Sequence, residues 1–422
     1  MDRREFLKDI LLMTALAPAG TVFAAGNGKT PEETMPQISR RNFKDLTLPL
    51  LGFGMMRLPR LKAGEPEIDL KLTADLFDRA MKSGINYFDT AYFYHSGLSE
   101  KCAGELLSRY PRDSYYLADK MPMSKVKSAD DVERIWNEQL QRCRVDHFDF
   151  YLLHSLNRSY WEKAKKFDVV GFLEKKKAEG RIRHLGFSFH DEPEVLREIA
   201  NFRKWDFAQI QLNYLDWTLY RSKEQYEILT ALGIPVIVME PLRGGALATL
   251  NAKADAILKK AAPETSIASW AFRYAASLPN VVCILSGMNR MDHLEENIAT
   301  LSNFKPLTAE ERRLLDRALA AYRSSGTIPC TGCSYCMPCP VGVAIPRIFG
   351  LYNQYKLNGR FGSFMGIYKK MPTDEQASAC VQCQLCVRKC PQQINIPEEL
   401  EKIVNEIDSR AELEEQGKKL LS

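Results

Sequence analysis

Long apolar runs are scarce in this chain of 422 residues. An uncharged stretch at 10–25 is only sixteen residues long and is broken by Pro18 and Gly20. A bilayer-spanning helix needs roughly 20 apolar residues, so the sequence does not read as an integral membrane protein. Charge of one sign is also lacking: 58 Lys and Arg oppose 53 Asp and Glu, a net of +5. That gives no reason to expect nucleic acid or an anionic membrane as partner. A glycine-rich dinucleotide turn is missing too. Gly52-Phe53-Gly54 lacks the third glycine, which disfavours a doubly wound open sheet. No flavin motif is evident either. Cysteine is sparse over most of the length: only Cys102, Cys143 and Cys283 lie outside the segment from Cys330 to Cys390, which holds the other eight of eleven. The three isolated ones read as buried or inert thiols.

Between about residue 41 and 302 there are eight short apolar runs, at 50–55, 86–91, 115–120, 149–154, 184–189, 207–212, 235–240 and 281–286. Each has the length of one strand and mostly lacks strict alternation, as strands buried on both faces do. Amphipathic stretches such as 70–83, 131–142 and 193–202 lie between them. Strand then helix, eight times over, predicts an α/β fold, a (β/α)8 TIM barrel. A further helix is expected from Thr308 to about Arg323, with Thr308 and Glu311 at capping-box spacing and Gly326 past its end. The predicted division is 41–325 for the barrel, 326–400 for a small, mainly helical, ferredoxin-like domain, and 401–422 for a helical tail. Residues 26–40 read as a linker.

The cysteine-rich segment carries an internal repeat. Cys339-Pro340-Val341-Gly342-Val343-Ala344-Ile345-Pro346 matches Cys390-Pro391-Gln392-Gln393-Ile394-Asn395-Ile396-Pro397 as C-P-x-x-[VI]-x-I-P. The run Cys380-x2-Cys383-x2-Cys386-x3-Cys390-Pro391 has the spacing of bacterial 4Fe–4S ferredoxins. The run Cys330-x2-Cys333-x2-Cys336-x2-Cys339-Pro340 is one residue shorter in its last gap. In two-cluster ferredoxins the fourth cysteine of each run serves the other cluster. That predicts Cys330, Cys333, Cys336 and Cys390 around one cluster, and Cys380, Cys383, Cys386 and Cys339 around the second. Zinc is the competing metal, since C-x2-C pairs also form ribbons. Three cysteines at successive x2 gaps followed by C-P, twice over, favour iron and sulfide.

Functional residues of a TIM barrel gather at the C-terminal ends of its strands. Those ends carry Asp89, Lys120 and His154, with Tyr94 five residues beyond Asp89. Together with Phe88-Asp89-Thr90-Ala91-x-x-Tyr94, Gly97-x-Ser99-Glu100, Leu153-His154, Gly180-Arg181-Ile182-Arg183-x-Leu185-Gly186-x-Ser188 and Glu296-Asn297, these residues resemble the aldo/keto reductase family over about 45–302. The resemblance implies hydride transfer between NADPH and a small carbonyl substrate. The physics of that reaction fits the four residues. Hydride addition puts negative charge on oxygen, so a proton donor is needed there. Lys120 is expected to draw the Tyr94 pKa down, Asp89 to hold Lys120 charged and oriented, and His154 to donate a hydrogen bond to the oxygen.

The same resemblance assigns Ser188 and Gln211 to the nicotinamide carboxamide, and Met55 to the cofactor site. It lays Met239, Glu240, Pro241 and Leu242 along the pyrophosphate. Gly287, Asn289, His293, Glu296 and Asn297 take the adenosine end, where a helix N-terminus favours phosphate. Phe189 stands where the family often has Asn, and Asn289 beside Arg290 leaves NADH open as an alternative to NADPH. The runner-up functions are a cluster-linked protein fed with electrons by a redox partner protein, and a nucleotide-binding sensor without turnover. Finally, Arg3-Arg4-Glu5-Phe6-Leu7-Lys8, the uncharged stretch and Val22-Phe23-Ala24 resemble a twin-arginine signal peptide over 1–25. Export to the periplasm or cell envelope is expected, with a cytoplasmic location if the signal is not used.

Overall fold

The computed structural model describes residues 36–62 and 65–421. The expected signal segment and most of the linker lie outside the described residues.

A β-hairpin comes first, pairing β1 (Arg40–Phe43) with β2 (Leu46–Pro49) antiparallel about the turn Lys44-Asp45. It begins at the last residue of the expected linker and lies otherwise within the segment expected for the barrel. Phe43 and Leu48 are buried with Tyr87, Phe150 and Phe207 in a cluster separate from the main core. The hairpin therefore plugs one end of the barrel with aromatic edge-to-face contacts, Phe43 to Phe207 at 6.4 Å among them.

Eight strands then close a barrel: β3 (Leu51–Gly54), β4 (Tyr87–Asp89), β5 (Tyr116–Met121), β6 (Phe148–Leu156), β7 (Ile182–Phe189), β8 (Phe207–Gln211), β9 (Val236–Met239) and β10 (Val281–Ser286). All neighbours pair in parallel, and β10 returns to β3. Each apolar run of the sequence became one strand, because barrel strands face packed side chains on both sides. The interior is tight at Gly52, where an added Cβ would stand 2.8 Å from the Leu285 side chain. Helices Leu70–Lys82, Ala129–Cys143 and Pro193–Phe202 occupy the amphipathic stretches. Cys102, Cys143 and Cys283 are all buried, and burial pushes the Cys102 thiol up to about 12.

Helix Ala309–Arg323 is capped reciprocally by Thr308 and Glu311, each side chain bonded to the other's backbone N–H. The cysteine-rich region follows with helices Ile345–Asn358 and Phe361–Tyr368, then one continuous helix, Ile396–Leu421. The last is not a separate tail, since Leu400 and Ile403 are buried in the same small core as Ile348, Phe349 and Phe364. The sequence repeat is also a backbone repeat. Gly332 and Ser334 in the first run have positive φ, as do Gln382 and Gln384 at matching positions in the second; Gly342 and Gln393 match likewise. Non-glycine residues seldom take this conformation, so three glutamines and a serine doing so marks loops wound tightly about something central. Val343 and Ile345 of one copy and Ile394 and Ile396 of the other are buried together. Burying such a side chain is worth about 2 kcal/mol, which anchors each loop to the shared core.

Candidate active site and cluster sites

Strand ends bring three of the four predicted catalytic residues to one cavity of about 590 Å3, lined by Asp89, Tyr94 and His154. Lys120 lies just behind this wall, fully buried. Its Nζ donates to Asp89 Oδ1 at 2.7 Å and to the Thr90 carbonyl at 2.6 Å. The same nitrogen sits 5.0 Å from the centre of the Tyr94 ring, and that ring meets His154 edge-on at 6.0 Å. The ammonium on β5 therefore lies against the ring of Tyr94, which stands in the turn beyond β4. A register shift in β6 just after Leu153, with Ser155 at φ 55°, bends the strand beside His154. Bulges of this kind re-aim side chains next to active sites.

The electrostatics correct one expectation. Tyr94 is held well above the usual phenol range, first by burial, then by the carboxylates of Asp89, Glu240 and Asp119, with Arg57 opposing. The Lys120 ammonium, paired with Asp89, does not outweigh them. Asp89 itself is raised by burial and lowered by Lys120. His154 is pushed well below its ordinary value by burial, Lys120 and His190. The site thus holds a protonated phenol and a neutral imidazole, both suited to donate toward a substrate oxygen.

Most predicted nucleotide contacts line the same cavity: Ser188 at the end of β7, Met239 to Leu242 after β9, and Gly287, Asn289, His293, Glu296 and Asn297 beyond β10. Helix Met291–Leu301 begins there with no side-chain cap on its N-terminus, which leaves backbone N–H groups for an anion. Arg290, the basic candidate for the adenosine end, is mostly exposed and paired with Asp292.

Two assignments need correction. Met55 is fully buried in the barrel core and does not line the cavity, whereas Met56 and Arg57 do. Gln211 is also off the cavity. It exchanges two 2.8 Å hydrogen bonds with Gln392 and donates to Asp216. Gln209 takes its place: it lines the cavity, and its Oε1 is buried with no partner among the described residues. Residues two apart on a strand share a face, so parity could not separate them. Depth in the barrel and the neighbouring loop did. His154 Nδ1, His190 Nδ1 and Asp89 Oδ2 are likewise buried without partners among the described residues. Unpaired buried polar atoms are costly, and here they gather where a nicotinamide and a carbonyl would satisfy them.

Sequence reasoning missed the origin of one wall. Thr331, Cys333, Tyr335, Pro391 and Gln392 of the cysteine-rich region line this cavity too. Their loops are fastened to the barrel by a buried polar network. Arg243 donates to Asp216 at 2.8 Å and to Gln392 at 3.0 Å, Tyr220 donates to the Pro391 carbonyl at 2.7 Å, and Arg57 donates to the Thr331 carbonyl at 2.9 Å. At Gly244 (φ 67°) an added Cβ would lie 2.1 Å from the Thr331 oxygen, so only glycine permits this approach.

The eight cysteines separate into two groups. Cys390 lies within electrostatic reach of Cys330, Cys333 and Cys336. A second cavity of about 300 Å3 is lined by Cys339, Cys380, Cys383 and Cys386, and by Cys336 as well. Cys390 thus lies near the first run and Cys339 lines a cavity with the second, while Cys336 stands between the two groups. Tight groups of three or more His, Cys, Asp or Glu suited to a single metal ion are not found among the described residues. In the first of these positive-φ loops the Gly332 N–H donates to Cys330 Sγ at 3.4 Å, the kind of contact that suits thiolate charge. The donor set fits two 4Fe–4S clusters.

Residues 50–320 match the aldo/keto reductase family, and residues 329–396 match a 4Fe-4S dicluster domain. The chain belongs to the aldo/keto reductase family and carries an appended dicluster domain. Among curated relatives, the NADH-specific methylglyoxal reductase of Escherichia coli is 24% identical over 306 residues, covering 61% of this chain and 91% of that one. L-galactose dehydrogenase of Arabidopsis thaliana is 24% identical over 289 residues, covering 64% and 89%. An aldo-keto reductase from Bacillus halodurans in its holo form shares the fold at a TM-score of 0.56 and 24% identity, over 67% of this chain and 96% of that one. So does one from Klebsiella pneumoniae solved with NADPH, at 0.55 and 22%, over 68% and 95%. The protein is an oxidoreductase of aldo/keto reductase type. Among the described residues, no helix is long and apolar enough to cross a membrane.

Proposed function

We propose that this protein reduces an aldehyde or ketone with NADPH, using Tyr94 as the proton donor. A bound nicotinamide would supply the hydride. Ser188 and Gln209 would hold its carboxamide, Met239 to Leu242 would lie along the pyrophosphate, and the uncapped start of helix Met291–Leu301 would meet the adenosine end. His154, neutral and buried, donates a hydrogen bond to the carbonyl oxygen. Tyr94 gives its proton to the same oxygen as negative charge grows there. Lys120, fixed by Asp89, stabilises the phenolate left behind. Its 2.7 Å bond to Asp89 and 5.0 Å approach to the Tyr94 ring carry the reading. Asp89, Tyr94, Lys120 and His154 are all buried, so these interactions act at low dielectric.

The dicluster domain, when loaded, supplies one-electron transfer. Cys333 lines the reduction chamber, while Cys383 lies on an exposed loop. That arrangement supports a second reading in which a redox partner protein would dock near Cys383 and the clusters, held by the eight cysteines, would supply one-electron transfer. Assembly of such cofactors before export suits the twin-arginine route proposed for residues 1–25, which places the protein in the periplasm or cell envelope. Anaerobic NADPH oxidation with a panel of carbonyls, comparing the native protein with Tyr94→Phe, tests the main reading. Equal turnover by the two proteins would overturn it.

A further inference from the structure

Tyr335 lies between two cysteines of the first run, yet its side chain faces the barrel's reaction chamber. Its nearest charged and titratable neighbours are Tyr94, Cys333, Glu240 and Asp89, three of them from the barrel. Neither the Tyr94 nor the Tyr335 hydroxyl has a hydrogen-bond partner among the described residues. Both line one chamber, so two unpaired hydroxyls there are free to bind a shared ligand.

The loop holding Tyr335 cannot drift from this position cheaply. Thr331 is bonded by Arg57 on one side and packed on Gly244 on the other. Gln392, in the loop after Cys390, is locked to Gln211 and Arg243. Cys390 groups with Cys330, Cys333 and Cys336, so loading the first cluster would tie both loops into one unit that presents Tyr335 to the barrel.

We propose that Tyr335 is a substrate-positioning residue: its ring forms the wall opposite His154 and Tyr94, and its hydroxyl hydrogen-bonds a polar group of the carbonyl substrate. The cluster domain then completes the substrate pocket as well as carrying electrons. Substrates with a second oxygen next to the carbonyl, as in 2-oxoaldehydes and 2-hydroxyaldehydes, are the class this favours. Tyr94 and His154 take the reacting oxygen, and Tyr335 takes its neighbour. The inference rests on the reading of Tyr94 as proton donor.

The test uses the anaerobically purified holoprotein with methylglyoxal and propanal as paired substrates. One net neutral hydrogen bond is worth about 1 kcal/mol, roughly a fivefold effect. Tyr335→Phe should therefore raise KM for methylglyoxal about fivefold, leave kcat nearly unchanged, and leave propanal unaffected. Tyr335→Leu, which also removes the ring, should lower the methylglyoxal preference further. A readout apart from turnover is the quenching of NADPH fluorescence in the binary complex by lactamide, which has two adjacent oxygens and no aldehyde or ketone to reduce. Its affinity should fall in Tyr335→Phe by the same factor while the visible spectrum of the clusters is retained. Unchanged selectivity and unchanged lactamide affinity in both variants would overturn the role of Tyr335. No reduction of any carbonyl by the native protein, with lactamide affinity still dependent on Tyr335, would instead sink the reductase reading alone.

Discussion

Replacing Arg243 by Met should loosen the dicluster domain from the barrel without touching a cysteine. The guanidinium is 3% exposed and the Asp216 carboxylate it meets is 0% exposed. The substitution preserves much of the side chain's volume but leaves that carboxylate without its cation. Breaking a buried ion pair in this way costs about 3–5 kcal/mol. Asp216 keeps the Gln211 and Asn213 amides, at 2.8 and 2.6 Å, which places the loss near the lower end. The bond to Gln392 is lost as well and adds about 1 kcal/mol. A total of about 4 kcal/mol is expected. Removing both charges with Arg243→Met and Asp216→Leu should cost much less than the sum of the single changes, because no uncompensated charge remains. Anaerobic urea titrations would follow the clusters by visible absorption and the helices by circular dichroism. At a slope of about 3 kcal/mol per molar urea, the single variant should lose its cluster signal roughly 1 M earlier than the native protein. Cluster loss at native urea, or strictly additive effects in the double variant, would refute the claim that this network holds the two parts together.

Four further outcomes are expected. Tyr94→Phe should lower kcat by about 10²–10⁴, the usual worth of a positioned acid, with nucleotide affinity retained in a fluorescence titration. Gln209→Ala should weaken nucleotide binding and leave cluster spectra alone, whereas Gln211→Ala should do the reverse; equal effects would contradict the separation of these residues by the fold. Native protein should carry about eight iron atoms and a similar amount of acid-labile sulfide per chain, and Cys390→Ser should alter the electron-spin resonance of the cluster held by Cys330, Cys333 and Cys336. His184, packed against Phe43 and Phe150, is lowered from 6.5 to about 4 by burial. The unfolded chain therefore binds the extra proton first, so stability should fall as pH drops from 6.5 to about 4. His184→Phe should flatten that part of the urea midpoint against pH.

Local pattern was enough for every barrel strand, because a strand buried on both faces writes itself as a short apolar run whatever its partners. The cysteine groups were legible for a similar reason: ligand spacing is a property of a short loop, and the C-P repeat marks where each loop turns back. The four candidate catalytic residues could be placed together because strand ends in a closed barrel all open on one face. The hairpin plug at Arg40–Pro49 was not legible. Its few apolar residues have no period of their own, and they are buried only because the barrel has an open end to fill.

What the amino-acid order determined by itself was therefore the kind of parts present: a parallel barrel, a tyrosine and a lysine for its mouth, and eight cysteines in two runs. Only the tertiary structure decided which of Gln209 and Gln211 faces the chamber, that Tyr94 is held protonated, and that Tyr335 forms one of the chamber walls. Those outcomes depend on distance and dielectric between segments far apart in sequence, and no local pattern records how near two distant loops come to lie.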